Sequence, residues 1–156
     1  LTKNRPKLLE HFRVLQADGC AAAFHAPVEM PVPRVNIRSA KNTVRLRLAS
    51  LADFLIMKAH AIGGRDKPKD AYDFCYCLDH APGGIAPLAA EWKSRLEEND
   101  VARALEILRE KFEDPFFIGP QQVVDFYQSP GSEERDMQAR RAFELVREFI
   151  RRIDDA

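Results

Sequence analysis

The sequence predicts an α+β fold, a small antiparallel or mixed sheet followed by a C-terminal helical bundle, and three observations carry that expectation. Val44, Leu46 and Leu48 alternate with Arg45 and Arg47, the two-residue period of a strand with one apolar face. From Ser50 onward apolar residues recur at the three-and-four spacing of amphipathic helices. Turn signals separate those helical stretches: Gly63-Gly64, Pro82-Gly83-Gly84, Asp114-Pro115 and Pro130-Gly131.

Taken in order, residues 6–17 place Leu8, Leu9, Phe12 and Leu15 on one face and predict a helix that stops at Gly19. Cys20 to Ala26 is short and apolar, which fits a buried strand or a continued helix. Pro27, Pro31 and Pro33 remove backbone donors and predict an extended connection over 27–33. Val35 and Ile37, a turn at Ser39–Asn42, and Val44 to Leu48 then predict a β-hairpin with one buried face. Its other face carries Arg34, Arg38, Arg45 and Arg47. With no aromatic residue between them, a solvated face is favoured over a contact with a phosphate backbone.

Ser50 with Asp53 predicts a capping box that opens a helix ending at Gly63-Gly64. Asp66 as cap and Pro68 in the first turn predict a second helix to about His80, with Ala71, Phe74, Cys75 and Leu78 inward. Beyond it, Ile85, Leu88, Trp92 and Leu96 mark one helix, with Trp92 in the core. Val101, Leu105, Leu108 and Phe112, capped by Asn99 or Asp100, mark the next. Phe116, Phe117 and Ile118 read as a buried turn, Gly119-Pro120 opens a short helix, and residues 132–153 form the last.

The chain has 156 residues, 46% hydrophobic and 31% charged, enough for a proper core. Its 24 basic and 24 acidic residues cancel, so no whole-protein field draws in nucleic acid. The absence of an apolar run of membrane length leads us to expect a cytoplasmic protein with no membrane partner. Three cysteines do not suit a disulfide framework. Cys75 and Cys77 with His80 admit a metal site, yet buried structural thiols fit better, and we expect no zinc.

One stretch, Ser50 to His80, speaks about chemistry. Lys58 falls in the middle of a helical face shared by Leu51, Phe54, Leu55, Ala61 and Ile62. Burying an ammonium costs several kcal/mol unless it snorkels, meets a carboxylate, or points into a cavity that receives an anion. Asp70 and Asp73 stand nearly one turn apart on the next helix, and an antiparallel hairpin would bring Lys58, Arg65 and both carboxylates to one pocket.

The pattern Lys58, Ala61, Arg65, Lys69-Asp70, Tyr72-Asp73 resembles the K-x-x-A, R, (R/K)-D-x-Y-D signature of the AbiEii/AbiGii-type nucleotidyltransferase toxins, within the polymerase-β-like superfamily. The resemblance is close from Ser50 to His80. It implies that residues 1–80 are a partial nucleotidyltransferase-like region ending in the Lys58/Asp73 hairpin and that 81–156 are the helical bundle. It also implies transfer of a nucleoside monophosphate from a nucleoside triphosphate (NTP) to an acceptor such as tRNA, with Mg as the family's metal and an antitoxin protein as cognate partner. Nucleotide contacts then fall to Lys58, Arg65 and Lys69, and catalytic roles to Lys58, Asp70 and Asp73.

This chain departs from that family where the metal is held. Before Lys58 it has no Gly-Ser and no Asp-x-Asp, and apart from Asp53 its acidic residues there are Glu10, Asp18 and Glu29. Gly131-Ser132 starts the missing motif only superficially, since it follows Pro130 and opens a long helix. The first residue is Leu1, so we expect the metal-binding half upstream and this chain to be inactive alone. The alternative is a binding or regulatory module on a scaffold without metal ligands.

Overall fold

A computed structural model describes residues 7–9, 12–14, 17–35 and 41–155. Strands β1 (Lys7–Leu9) and β2 (Phe12–Val14) pair antiparallel, with Leu9 opposite Phe12. After a 3-10 helix over Cys20–Phe24, β3 (Val28–Val35) and β4 (Lys41–Leu48) form a second antiparallel ribbon. Among the described residues six α-helices follow: α1 (Leu51–Gly64), α2 (Pro68–Asp79), α3 (Ile85–Ser94), α4 (Asn99–Lys111), α5 (Ile118–Tyr127) and α6 (Ser132–Asp155). The chain is therefore α+β, small antiparallel sheets followed by a helical bundle. None of the described helices is long and apolar enough to cross a membrane.

The bundle has one core drawn from α1 through α6. Phe74 of α2, Trp92 of α3 and Phe149 of α6 meet edge to face, with Trp92 and Phe149 centroids 5.1 Å apart. The indole also donates from Nε1 to the Ala52 carbonyl at 3.3 Å, so its polar atom is satisfied at the start of α1. Helix α1 packs on α2 and α4, α2 on α5, and α6 closes over α3 and α5.

A buried ion pair fixes where α1 begins. Ser50 caps α1 by accepting from the Asp53 N–H at 3.1 Å, and its hydroxyl donates to Asp53 Oδ2 at 2.8 Å. The return arm of the expected capping box is not made, because Asp53 Oδ1 accepts instead from Arg95 Nη1 at 2.8 Å. Arg95 in turn grips Glu98 with Nε and Nη2, and Glu98, rather than Asn99 or Asp100, is the N-cap residue of α4. Asp53 is fully buried and Arg95 nearly so, which ties the start of α1 to the α3–α4 junction.

Several expectations change. The helix over 6–17 is not formed: its described residues, Lys7–Leu9 and Phe12–Val14, are paired strands, and a short apolar run satisfies either period. Cys20–Phe24 is 3-10 helix and buries only Ala22, so of the two readings the helical one is nearer. Residues 28–33 pair along their length with β4 in spite of Pro31 and Pro33, because each strand of a two-stranded ribbon keeps a free edge where a missing N–H costs nothing. The expected turn and Ile37 to Asn42 lie largely outside the described residues, as do Leu15 and Arg38. Asp66 does not cap α2, whose N-cap is Lys67 with Pro68 at the first position; its Oδ1 accepts from Gln122 Nε2 at 2.8 Å.

The hairpin's apolar face is not buried. Val28, Met30, Val44, Leu46 and Leu48 share one face in cross-strand register and remain 40 to 53% exposed, since the described helices make at most slight contact with the ribbon. Phe116, Phe117 and Ile118 are likewise exposed, because the Asp114–Phe117 turn is held by hydrogen bonds to Asp114 rather than by packing.

Two measurements test this packing. Asp53→Ala leaves the Arg95 guanidinium buried without its inner partner, which should cost roughly 3–5 kcal/mol and lower the melting temperature by about 10 °C; calorimetry reads it directly. Burial, with help from the Asp79 charge, pushes the Cys75 thiol up to about 12, whereas Cys20 is exposed. Iodoacetamide at neutral pH should therefore label Cys20 in the native protein and Cys75 only after unfolding, as peptide mapping would show.

Candidate functional site

Helix α1 turns two faces to the protein. Ala52, Leu55, Ile56, Ala59 and Ile62 are buried in the core, while Phe54, Lys58, Ala61 and Arg65 recur at the spacing of a second face. Lys58 is thus not in the middle of the core stripe. It sits on the neighbouring face, toward α2, which resolves the conflict of a lysine among apolar residues. Its ammonium also lies 5.4 Å from the Phe54 ring centroid.

On α2, Asp70 and Asp73 leave the core face on the side that meets α1. Lys58 Nζ donates to Asp70 Oδ1 at 2.9 Å and to Asp73 Oδ2 at 2.6 Å. Arg65 clamps Asp70 with Nε to Oδ2 at 2.7 Å and Nη2 to Oδ1 at 3.0 Å. Lys69 donates to both oxygens of Asp73 at 2.7 Å. Lys58 facing Asp73 and Arg65 facing Asp70 is the antiparallel register expected of the hairpin. The Gly63-Gly64 break lets Arg65 leave the helix in extended backbone and fold back onto Asp70.

The network carries three cations on two carboxylates, a net charge of +1. Burial raises the Asp70 carboxyl, but hydrogen bonds from Arg65 and Lys58 outweigh it and leave the group below its usual value. Asp73 is lowered in the same way against its burial, by Lys58 and Lys69. For Lys58, burial pulls the ammonium down and hydrogen bonds to Asp73 and Asp70 more than restore it, so it stays charged.

Lys58 and Arg65 also line a cavity of about 420 Å³, whose wall is completed by Phe54, Met57, Ala61 and, from the segment ahead of the 3-10 helix, Asp18. Gly19 carries that segment across with φ +73°, and a side chain on it would strike the His60 ring. His60 is pinned in turn by a 2.8 Å hydrogen bond between Nε2 and the Asp100 carbonyl. Arg65 was expected at one pocket with Lys58, whereas Phe54 was read as part of the core face, and Asp18 and Met57 carried no signal.

The donor set does not fit the family's magnesium. All four oxygens of Asp70 and Asp73 accept from Lys or Arg, and no group of His, Cys, Asp and Glu among the described residues is placed to hold a metal. Cys75, Cys77 and His80 do not form such a group either. Gly131 and Ser132 lead into the first turn of α6, consistent with helix entry rather than a phosphate loop.

The ion network has a defined pH signature. The two carboxyls lie below their unfolded value of 3.8, so their stabilisation is complete above that pH and disappears as the pH falls through the lower folded values. Lys58, raised above 10.5, stabilises below that pH and ceases to as the pH climbs past its folded value. Asp70→Asn should cost roughly 1–3 kcal/mol at neutral pH. The gap from wild type should close as the pH drops below 3.8, which urea unfolding at a series of pH values would measure.

The comparisons with known proteins agree with the geometry on one family. The family model "Nucleotidyl transferase AbiEii toxin, Type IV TA system" matches residues 19–149, which include the ion network, the cavity wall apart from Ala17 and Asp18, and all but the end of the bundle. No curated protein and no solved structure matches the chain. With a family model covering most of its length and the Lys58, Arg65, Asp70 and Asp73 signature assembled in one place, this chain belongs to the AbiEii family of nucleotidyltransferase toxins.

Proposed function

We propose that this chain supplies the triphosphate-handling part of a nucleotidyltransferase that moves a nucleoside monophosphate from an NTP to an acceptor such as tRNA, as the toxin of a toxin–antitoxin or phage-defence pair. The observation that carries this reading is the shared cavity: Lys58 and Arg65 line it while Asp70 and Asp73 hold both cations. A phosphate entering there meets donors already oriented, with no lysine rotamer left to fix. Asp70 and Asp73 act on this reading as orienting groups. Their oxygens are engaged and their proton affinity is lowered, which suits them poorly to take a proton from an acceptor hydroxyl.

In the reaction, the acceptor oxygen bonds to the α-phosphorus, the bond to the β-phosphate oxygen breaks, pyrophosphate leaves and the hydroxyl proton passes to solvent. Lys58, with one N–H beyond its two carboxylate bonds, and Arg65 offset charge on the phosphates, while Lys69 keeps Asp73 anionic. We place the division between the nucleotidyltransferase-like region and the bundle near residue 80. A cognate antitoxin is the protein partner this reading implies.

A second reading is favoured by the saturation of both carboxylates: the cluster is then a self-sufficient ion network in a binding or regulatory module. The two separate on Lys58→Met in the protein as its host makes it, assayed by transfer of labelled nucleotide to host RNA. We expect loss of transfer by at least about 100-fold. Folding should survive, since Arg65 still holds Asp70 and Lys69 still holds Asp73. Full transfer by the variant would remove Lys58 from the mechanism, and a wild-type protein that captures a partner yet transfers nothing would favour the module.

A further inference from the structure

Two strands alone make a marginal sheet, and among the described residues no third strand pairs along either outer edge of the β3–β4 ribbon. The two edges differ. Pro31 and Pro33 stand opposite Arg45 and Thr43 in the ladder, and a proline fits an antiparallel pair with its nitrogen turned to the open side. The residue opposite then turns its own N–H and C=O outward as well. The outer edge of β3 therefore lacks donors at two successive outward positions, whereas that of β4 presents the backbone groups of Thr43, Arg45 and Arg47.

The side chains beside that edge define the strand that would fit it. On one face, Val28, Met30, Val44, Leu46 and Leu48 are apolar and partly exposed. On the other, Arg45 and Arg47 are exposed and form no salt bridge among the described residues. Glu29, opposite Arg47, is the one acidic residue of either strand, and Arg45 faces Pro31. A strand laid along β4 sends alternate side chains to these two faces. Its apolar residues widen the apolar face, and the others stand beside arginine, where opposite charges stabilise and like charges do the reverse. A second copy fits poorly: its β4 brings arginines alongside arginines, and its β3 edge lacks the two proline donors. A nucleic acid fits poorly too, since neither strand holds an aromatic residue on which bases could stack.

We propose that β4 is a docking edge for an extended segment of a partner protein in which apolar residues alternate with Asp or Glu, added to the ribbon as a third strand. Main-chain hydrogen bonds supply the attachment, and Arg45 and Arg47 select the acidic alternation. No residue of this edge lines the Lys58 cavity, and the proposal stands whether or not the chain transfers nucleotide.

The test is fluorescence anisotropy of a short labelled peptide with blocked ends that alternates valine and glutamate, titrated with the full chain beside a valine–lysine peptide. Saturable binding of the glutamate peptide is expected, with the lysine peptide at least about tenfold weaker. N-methylating either the glutamates or the valines should abolish binding in one case only, since a single set of N–H groups faces β4. Arg45→Glu combined with Arg47→Glu should exchange the preference, so that the lysine peptide binds and the glutamate peptide does not, a gain that a misfolded variant would not show. The proposal is overturned if both N-methylated peptides bind as the parent does, or if the double variant keeps the wild type's preference. Failure of the glutamate peptide to saturate also overturns it. The arginines then belong to a nucleic acid if a short RNA binds and the double variant loses it, and the ribbon to a second copy if the chain is a dimer that Leu46→Asp dissociates.

Discussion

Two carboxylates on one helix face three cations drawn from the middle of α1, the residue that caps its end and α2 itself, and much of the candidate site follows from that pairing. Asp70 and Asp73 cannot be desolvated alone, and Lys58 cannot be either. Once brought together they fix the α1–α2 hairpin in a single antiparallel register. That register in turn places α1's second face along the cavity and leaves its first face for the core with α4. The same helix α2 then presents tyrosines to α5 and α6 on its far flank.

On the proposed reading, a charge network of this kind serves structure and chemistry with the same bonds. Its excess of one positive charge is the quantity that matters for a polyanionic ligand: the carboxylates hold the donors still without cancelling them. The same saturation leaves Asp70 and Asp73 poorly suited to hold a metal, and on the proposed reading the family signature marks where phosphates are met.

The helical hairpin was readable in the sequence because each of its signals was local. Ser50, Gly63-Gly64 and Pro68 marked the ends, and the spacing of Lys58, Arg65, Asp70 and Asp73 forced them together. What failed was tertiary in origin. Asp53 takes Arg95 in place of a backbone N–H, a partner 42 residues on that no window reveals. Asp66 prefers Gln122 to a cap, 56 residues away. The run at 6–17 has too few apolar residues to separate two periods, and Pro31 and Pro33 argue against a strand only if both of its edges must pair. The cavity between α2, α5 and α6 was invisible for the same reason: Tyr72, Tyr127 and Gln138, which line it, are distant in sequence and share a wall only when α5 and α6 close on α2.

The β3–β4 ribbon gives the molecule a directional edge. β3 carries two residues with no N–H, Pro31 and Pro33, whereas β4, Lys41–Leu48, has every backbone donor. An incoming strand would find an unbroken set of donors only along β4, between the exposed side chains of Arg45 and Arg47. The two borders of the ribbon are therefore unlike: covalent chemistry removes two donors from the one along β3, and the one along β4 keeps all of its own.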